Sequence, residues 1–294
     1  MNAFNELTNN SDRNPWCIGI ARFDIDRLCL ISPSPRPLIS AANLSSHHVA
    51  FVADPFRVVT RGETFVFAEA WSRSNQRGQI AAFRLNAAGH VAESAIVLAE
   101  PFHLSYPCVF KAGDSYYMMP EAWETGQLVL YRAREFPWSW EPFKVLLEIA
   151  YADPQIFLHE STWYIFLNTD PLTNAEGSVF WTESLFGQWQ PHPQNPIFRN
   201  DPRLARSAGP IIRHGRRIIR FSQDCEQQYG RCVFASELVE LSPSAIRTES
   251  IGPVDFERPA WARNAFHHLD LFRENGVCYA LFDGYTSGFD PTPQ

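Results

Sequence analysis

Basic patches, long apolar runs and cysteine pairs are missing from this chain of 294 residues, and each absence narrows what it does. Lys and Arg number 25 against 32 Asp and Glu, a formal net charge of −7, and the cations are scattered. A nucleic-acid backbone is therefore an unfavourable partner. No stretch approaches the roughly 18 apolar residues of a membrane-spanning helix. The polar start MNAFNELTNNSDRNP lacks the apolar run of a secretory signal. The expected location is the cytoplasm. The cysteines (Cys17, Cys29, Cys108, Cys225, Cys232, Cys278) include no CxxC pair, which suits free thiols in a reducing compartment. No Cys/His spacing fits a tetrahedral zinc site. His267 and His268 are adjacent, so a strand would point them to opposite faces. No metal and no cofactor is expected. A long amphipathic helix is also lacking, while 22 prolines and 9 tryptophans suit a turn-dense β fold.

What is present is a repeat. Five segments start at Ala53 (ADPFRVVTRGETFVFAEAW), Ser105 (SYPCVFKAGDSYYMMPEAW), Ala152 (ADPQIFLHESTWYIFLNTD), Ala208 (AGPIIRHGRRIIRFSQDC) and His267 (HHLDLFRENGVCYALFDGY). Each reads as an apolar strand, a polar turn and a second strand rich in aromatic and β-branched residues. Third strands follow at 78–85, 126–133, 177–184 and 230–238, each opening on a glycine that suits a turn with positive φ. Fourth strands follow in several copies, as at 93–100 and 143–149. The spacing is that of propeller blades. The expected fold is all-β, a five-bladed β-propeller over 16–285, with a disordered lead (1–15) and a tail (286–294). The fifth copy lacks a third strand, and WCIGIARF (16–23) has the pattern to supply it, so the N-terminal strand is expected to close the ring.

Fifteen residues after the start of each first strand a polar residue returns. The pairs are Asp54 and Glu69, Tyr106 and Glu121, Asp153 and Asn168, Gly209 and Asp224, His268 and Asp283. In a radial array these positions rim one axial funnel. Any single Asp-Pro pair reads equally well as a turn. Acids recurring at the second position, as Glu69, Glu121, Asp224 and Asp283, instead suit recognition of sugar hydroxyls. Trp71, Trp123 and Tyr285 lie two residues further on and are placed to stack on sugar rings.

The ADPF and ADPQIF segments resemble the propellers of family 43 glycoside hydrolases. The resemblance implies that Asp54 is the general base and that Asp153 tunes the pKa of the acid. The acid itself, a Glu two residues before Pro, is absent: this chain reads Ala208-Gly209-Pro210. A closer resemblance covers nearly the whole chain. WCIGI, FVADPF, EPFHLSYPCVF, YYMMPEAW, LYRAREFPWSW, LFGQWQPHPQNPI and RFSQDCEQQYG are similar to the N-terminal domain of plant glucosamine inositolphosphorylceramide transferases. There a separate C-terminal domain transfers the sugar. The resemblance implies a glycan context, in polysaccharide or glycolipid assembly, with a glycan, glycolipid or nucleotide-sugar ligand and a separate glycosyltransferase as partner.

Three readings follow. One is a sugar-binding propeller without chemistry, which the missing acid favours. A second is a glycosidase-like enzyme with Asp54 as base or nucleophile, needing a second carboxyl ~5–10 Å away. Glu121, which follows the apolar run YYMMP, is the preferred substitute acid over Glu69 and Asp224, because desolvation raises a carboxyl pKa. His103 and His268 are further proton donors, with His103 also suited to a loop hydrogen bond. Arg206, beside Ala208, is placed to meet a phosphate or a sugar acid, or to form an internal ion pair. The third reading is a structural interaction module with no ligand.

Overall fold

A computed structural model describes residues 15–288. Apart from Pro15, the expected lead lies outside the described residues, as do the last six residues of the expected tail. β1 (Cys17–Asp24) and β2 (Cys29–Ile31) come first. β3 (Val49–Thr60), β4 (Glu63–Ser72), β5 (Arg77–Leu85) and β6 (Val91–Leu98) form blade one. Blade two is β7 (Ser105–Ala112), β8 (Ser115–Glu121), β9 (Leu128–Glu135) and β10 (Ser139–Leu147). Blade three is β11 (Ala152–His159), β12 (Thr162–Asn168), β13 (Gly177–Thr182) and β14 (Gln190–Pro191). Blade four is β15 (Ile212–His214), β16 (Arg217–Asp224), β17 (Cys232–Leu241) and β18 (Ile246–Pro253). β19 (Leu269–Glu274) and β20 (Val277–Gly284) begin blade five, and β1 and β2 complete it in the order β19-β20-β1-β2. The N-terminal strand thus closes the ring, paired antiparallel to β20 from Cys17↔Gly284 to Arg22↔Tyr279.

Burial follows position in the blade. β4 is buried from Phe65 to Ser72, because sheet neighbours flank it on both edges and other blades cover both faces. The outermost β18 is mostly exposed. Aromatic and guanidinium groups link neighbouring blades. Phe67 of blade one meets Trp140 of blade two edge-on, with centroids 5.7 Å apart. Phe110 meets Trp163 between blades two and three, and Phe221 meets Phe23 between blades four and five. Arg213 lies over Phe157, joining four to three, and Arg57 lies 3.9 Å from the Phe272 centroid, joining one to five. Such contacts add to the area term that holds a ring of sheets together.

The glycines opening the third strands serve two purposes. Gly126 and Gly230 have φ of 64° and 61°, as the turn reading requires. Gly78 and Gly177 do not. A Cβ on Gly78 would lie 2.2 Å from the Leu104 carbonyl oxygen, and one on Gly177 would lie 2.8 Å from the Phe198 ring. There close approach of another segment excludes a side chain.

The Asp-Pro pairs are not turns. Asp54, Tyr106 and Asp153 all precede proline and have φ of 54°, 45° and 44°. Each lies where the pairing register slips, between Ala53 and Phe56, Ser105 and Cys108, and Ala152 and Gln155. These are β-bulges, which re-aim a side chain at a cost in strain. In blade four the matching residue is Gly209, at φ 113°, where a Cβ would lie 2.0 Å from the Leu269 carbonyl oxygen.

Candidate functional site

The bulges turn the first-strand residues toward the axis, where neighbouring blades cap one another. Asp283, ending the second strand of blade five, accepts the Asp54 backbone N–H at 3.0 Å through Oδ2. Its Oδ1 accepts the N–H groups of His267 and His268 at 3.1 and 3.0 Å. Glu121 does the same one blade on, accepting the Asp153 N–H at 3.1 Å. Asp54 Oδ2 accepts the Tyr106 N–H at 3.3 Å. The Tyr106 hydroxyl reaches blade four, 2.8 Å from the Gly209 nitrogen and 3.2 Å from its carbonyl oxygen.

Five carboxyls therefore converge: Asp54, Glu69, Glu121, Asp153 and Asp283, all nearly buried. Burial pushes Glu69 well above the usual carboxylate range, and Asp54, Glu121, Asp153 and Asp283 push it the same way. Burial and Asp153 likewise push Glu121 well above that range, with Arg206 opposing them only in part. Arg206 donates through Nε to Asp153 at 2.5 Å, through Nη2 to Glu121 at 3.2 Å and through Nη1 to Asn174 at 3.0 Å. Its Cζ lies 5.1 Å from the Tyr229 ring centroid.

These contacts change two expectations. Arg206 is held by two carboxylates, an amide and an aromatic face, so it serves as an internal ion pair rather than a receptor for phosphate. Glu121 is bound to that guanidinium and to a backbone N–H. Glu69 has no guanidinium beside it in these contacts, and burial raises both carboxyls.

Asp224 does not face the cluster. It bonds the Glu226 N–H at 3.1 Å and pairs with Arg231 at 3.2 Å. Its neighbour Gln223 reaches in instead, donating to Asp153 at 2.6 Å and to the Ser207 carbonyl at 2.9 Å. The first strand of blade four is irregular, with Ser207 opposite Ser222, so counting fifteen residues overshoots. Asn168 is fully buried, and neither its Nδ2 nor its Oδ1 has a hydrogen-bond partner.

Trp71 is buried against Phe51, with centroids 5.8 Å apart, and so does not present a sugar-stacking face. Trp123 lies half-buried in a single 3-10 turn, and Tyr285 stands edge-on to Trp16. His103 accepts the Gly78 N–H on Nδ1 at 2.9 Å, the loop role its position suggests. Its Nε2 lies 3.8 Å from Glu69. Burial, helped by Arg206, lowers its pKa to about 3, so it stays neutral.

His267 and His268 do not diverge. They precede β19, outside the alternation of a strand, and both rings turn to Asp54, with Nδ1 atoms 3.9 and 3.6 Å from Oδ1. His267 Nδ1 is also 2.8 Å from Asp283 Oδ2, stacks on Trp16 at 4.0 Å and meets Tyr229 edge-on. Burial opposes charge on His267, but Asp283, Asp54 and Asp153 together raise its pKa. Burial likewise opposes ionisation of Asp283, yet His267 holds it low. Asp54, His267 and Asp283 each offer a ligand atom within 4.8 Å of the others, a metal-binding possibility that the sequence spacing did not suggest. Gln223, Tyr229 and His267 were not assigned to the site from sequence. The segment RFSQDCEQQYG, which contains Gln223 and Tyr229, was the available signal.

The same fold is found among solved structures. An α-L-arabinofuranosidase from Podospora anserina superposes with a TM-score of 0.57 at 10% identity, over 95% of this chain and 99% of that one. A family 43 β-xylosidase/α-arabinofuranosidase from a compost metagenome gives 0.56 at 12% identity, over 80% and 86%. These likenesses establish the fold. Among relatives in sequence, glucosamine inositolphosphorylceramide transferase 1 of rice (Oryza sativa subsp. japonica) is 34% identical over 265 residues, and that of Arabidopsis thaliana is 32% identical over 273. The alignments cover 86% and 87% of this chain but only 36% and 35% of those proteins. The family model "Glucosamine inositolphosphorylceramide transferase 1, N-terminal" matches residues 29–284, and the chain belongs to that family.

Proposed function

We propose that the propeller binds a glycan or glycolipid sugar at the axial funnel and acts beside a separate glycosyltransferase in polysaccharide or glycolipid assembly. The observation that carries this reading is the convergence of Asp54, Glu69, Glu121, Asp153 and Asp283 from four blades. Carboxylates accept from sugar hydroxyls, and Asn168 adds an amide with unused donors and an acceptor. With Arg206 committed to Asp153 and Glu121, the carboxyl cluster suits uncharged sugar units better than phosphate groups. The six free thiols of the protein suit the cytoplasm.

A screen of glycans, glycolipid headgroups and nucleotide sugars against the purified chain tests this. The expected hits are neutral glycans whose binding weakens in Glu69→Gln and Asn168→Ala. Hits confined to nucleotide diphosphates, or none at all, reject it.

One observation favours glycosidase-like chemistry as a second reading. Burial, and then the neighbouring Asp54, push the Glu69 carboxyl well above the usual range, the direction a general acid in glycoside hydrolysis needs. Turnover of a bound glycan, abolished in both Asp54→Asn and Glu69→Gln, would support it. Tight binding without turnover leaves the recognition reading alone.

A further inference from the structure

A cavity of about 840 Å³ lies between blades one and two, at the end of the strands away from the carboxyl cluster. Thr60 and Glu63 reach it from the β3–β4 turn, Asp114 and Ser115 from the β7–β8 turn, and Glu135 to Trp138 from the β9–β10 turn. Along β3 the path from Asp54 to Thr60 is on the order of 20 Å. The segment LYRAREFPWSW carries part of the family resemblance but supplies none of the five clustered carboxyls. It lines this cavity instead, from Ala133 to Trp138.

Four aromatic side chains form the apolar part of the lining. Phe65 is buried and stands edge-on to Phe136 and Trp138, with centroids 5.5 and 6.2 Å away. Tyr116 stacks on Phe136 at 3.9 Å. Tyr116 and Trp138 are only half-buried, so ring surface is left for a ligand. The β9–β10 turn is held before any ligand arrives. The Trp138 backbone N–H donates to the Glu135 carbonyl at 2.8 Å, and the Trp140 indole donates to the Pro137 carbonyl at 2.8 Å.

The lining also carries four basic and four acidic side chains, so its charges balance. Arg84 pairs with Glu93 at 3.0 Å and lies 3.8 Å from Glu63. Donors and acceptors thus stand side by side. That suits hydroxyl groups, each of which is both donor and acceptor. A phosphate would meet the acidic groups, and a wholly apolar ligand would leave the charged ones without water.

We propose that this cavity is a second carbohydrate site, which takes a short run of uncharged sugar units with one ring stacked on Trp138. A sugar ring presents C–H groups on one face, and these pack on the electron-rich face of an indole. Arg84 and its paired carboxylates bond the hydroxyls at the ring edge. The volume lies within the range of small-ligand sites, about 300–1,000 Å³. The inference does not depend on sugar binding at the funnel, so either can fail alone.

The test uses the full chain with four neutral trisaccharides as probes: cellotriose, xylotriose, mannotriose and galactotriose. Binding is read by calorimetry and by the indole N–H resonances in NMR, with Trp138 assigned by the signal lost in Trp138→Phe. At least one trisaccharide should bind with a Kd of about 1 mM or tighter and shift that resonance. Trp138→Ala should weaken this binding about tenfold, and Glu93→Ala, which removes the closer partner of Arg84, about threefold. Glu69→Gln, at the funnel, should leave it unchanged. Glu93 is exposed, so its variant decides if Trp138→Ala does not fold. Four results would each overturn the proposal. These are no trisaccharide binding at about 10 mM, affinity unmoved in a folded variant, and uridine diphosphate binding at Trp138 more tightly than every trisaccharide. The fourth is a Trp138 resonance that stays still while binding is lost in Glu69→Gln, which leaves the funnel reading standing.

Discussion

Asp283 Oδ2 accepts a 3.0 Å hydrogen bond from the backbone N–H of Asp54, across 229 positions of sequence. The same carboxylate accepts two more backbone N–H groups, from His267 and His268. Removing it orphans three buried donors, each worth about 1–3 kcal/mol when unsatisfied. Asp283→Ala should therefore cost about 3 kcal/mol or more, read from urea denaturation. Asp283→Asn, which keeps one acceptor oxygen, should cost less. A loss below about 1 kcal/mol for the alanine variant would show that the ring does not depend on this cap.

Arg206 answers for two buried carboxyls at once. Arg206→Met leaves Asp153 and Glu121 unpaired in a dry site and should cost about 3–5 kcal/mol. Adding Asp153→Asn and Glu121→Gln removes the uncompensated charge and should recover much of the loss. A triple variant no more stable than Arg206→Met would show that the guanidinium acts through packing.

His103 gives an acid-side pH dependence. In the folded protein burial and Arg206 lower its pKa to about 3. In the unfolded chain it titrates near about 6.5. The unfolded state therefore binds the extra proton between these values, and stability falls as pH drops from about 6.5 toward 3. Urea midpoints at several pH values should show a slope of about 1 kcal/mol per unit from this group. His103→Gln should flatten that slope. An unchanged slope would assign the acid sensitivity to other groups.

The two glycine classes separate on substitution. Gly78→Ala forces a Cβ to 2.2 Å from the Leu104 carbonyl oxygen, so backbone must move. At Gly126 nothing lies within 4 Å of the added carbon, and only φ of 64° resists. Gly126→Ala should cost about 1 kcal/mol and Gly78→Ala clearly more, measured by thermal and urea unfolding. Equal losses would mean that Leu104 yields freely.

The blades were legible because each first strand, turn and second strand repeats with the same apolar pattern, and Gly284 and Cys17 fall where closure needs them. The convergence of Asp54, Glu69, Glu121, Asp153 and Asp283 follows from the same count. Asp224 was misplaced because a count along the chain does not register the irregular pairing of Ser207 with Ser222. His267 was set aside because alternation was applied two residues before β19 starts. The neutralisation of Arg206 depends on partners 53 and 85 positions away, a relation that no local pattern encodes. Trp71 faces inward because Phe51 covers it, and both share the apolar character of any rim residue.

Closure by β1 also bears on how the protein is made. Cys17 leaves the ribosome long before its partner Gly284 is made. Until β20 is made, the first strand keeps an unsatisfied ladder edge, while blades one to four can form behind it. Completing the circle requires the largest loop in the molecule to shut, the slow kind of contact. A newborn chain is thus exposed to strand exchange with a neighbouring copy until its final blade arrives.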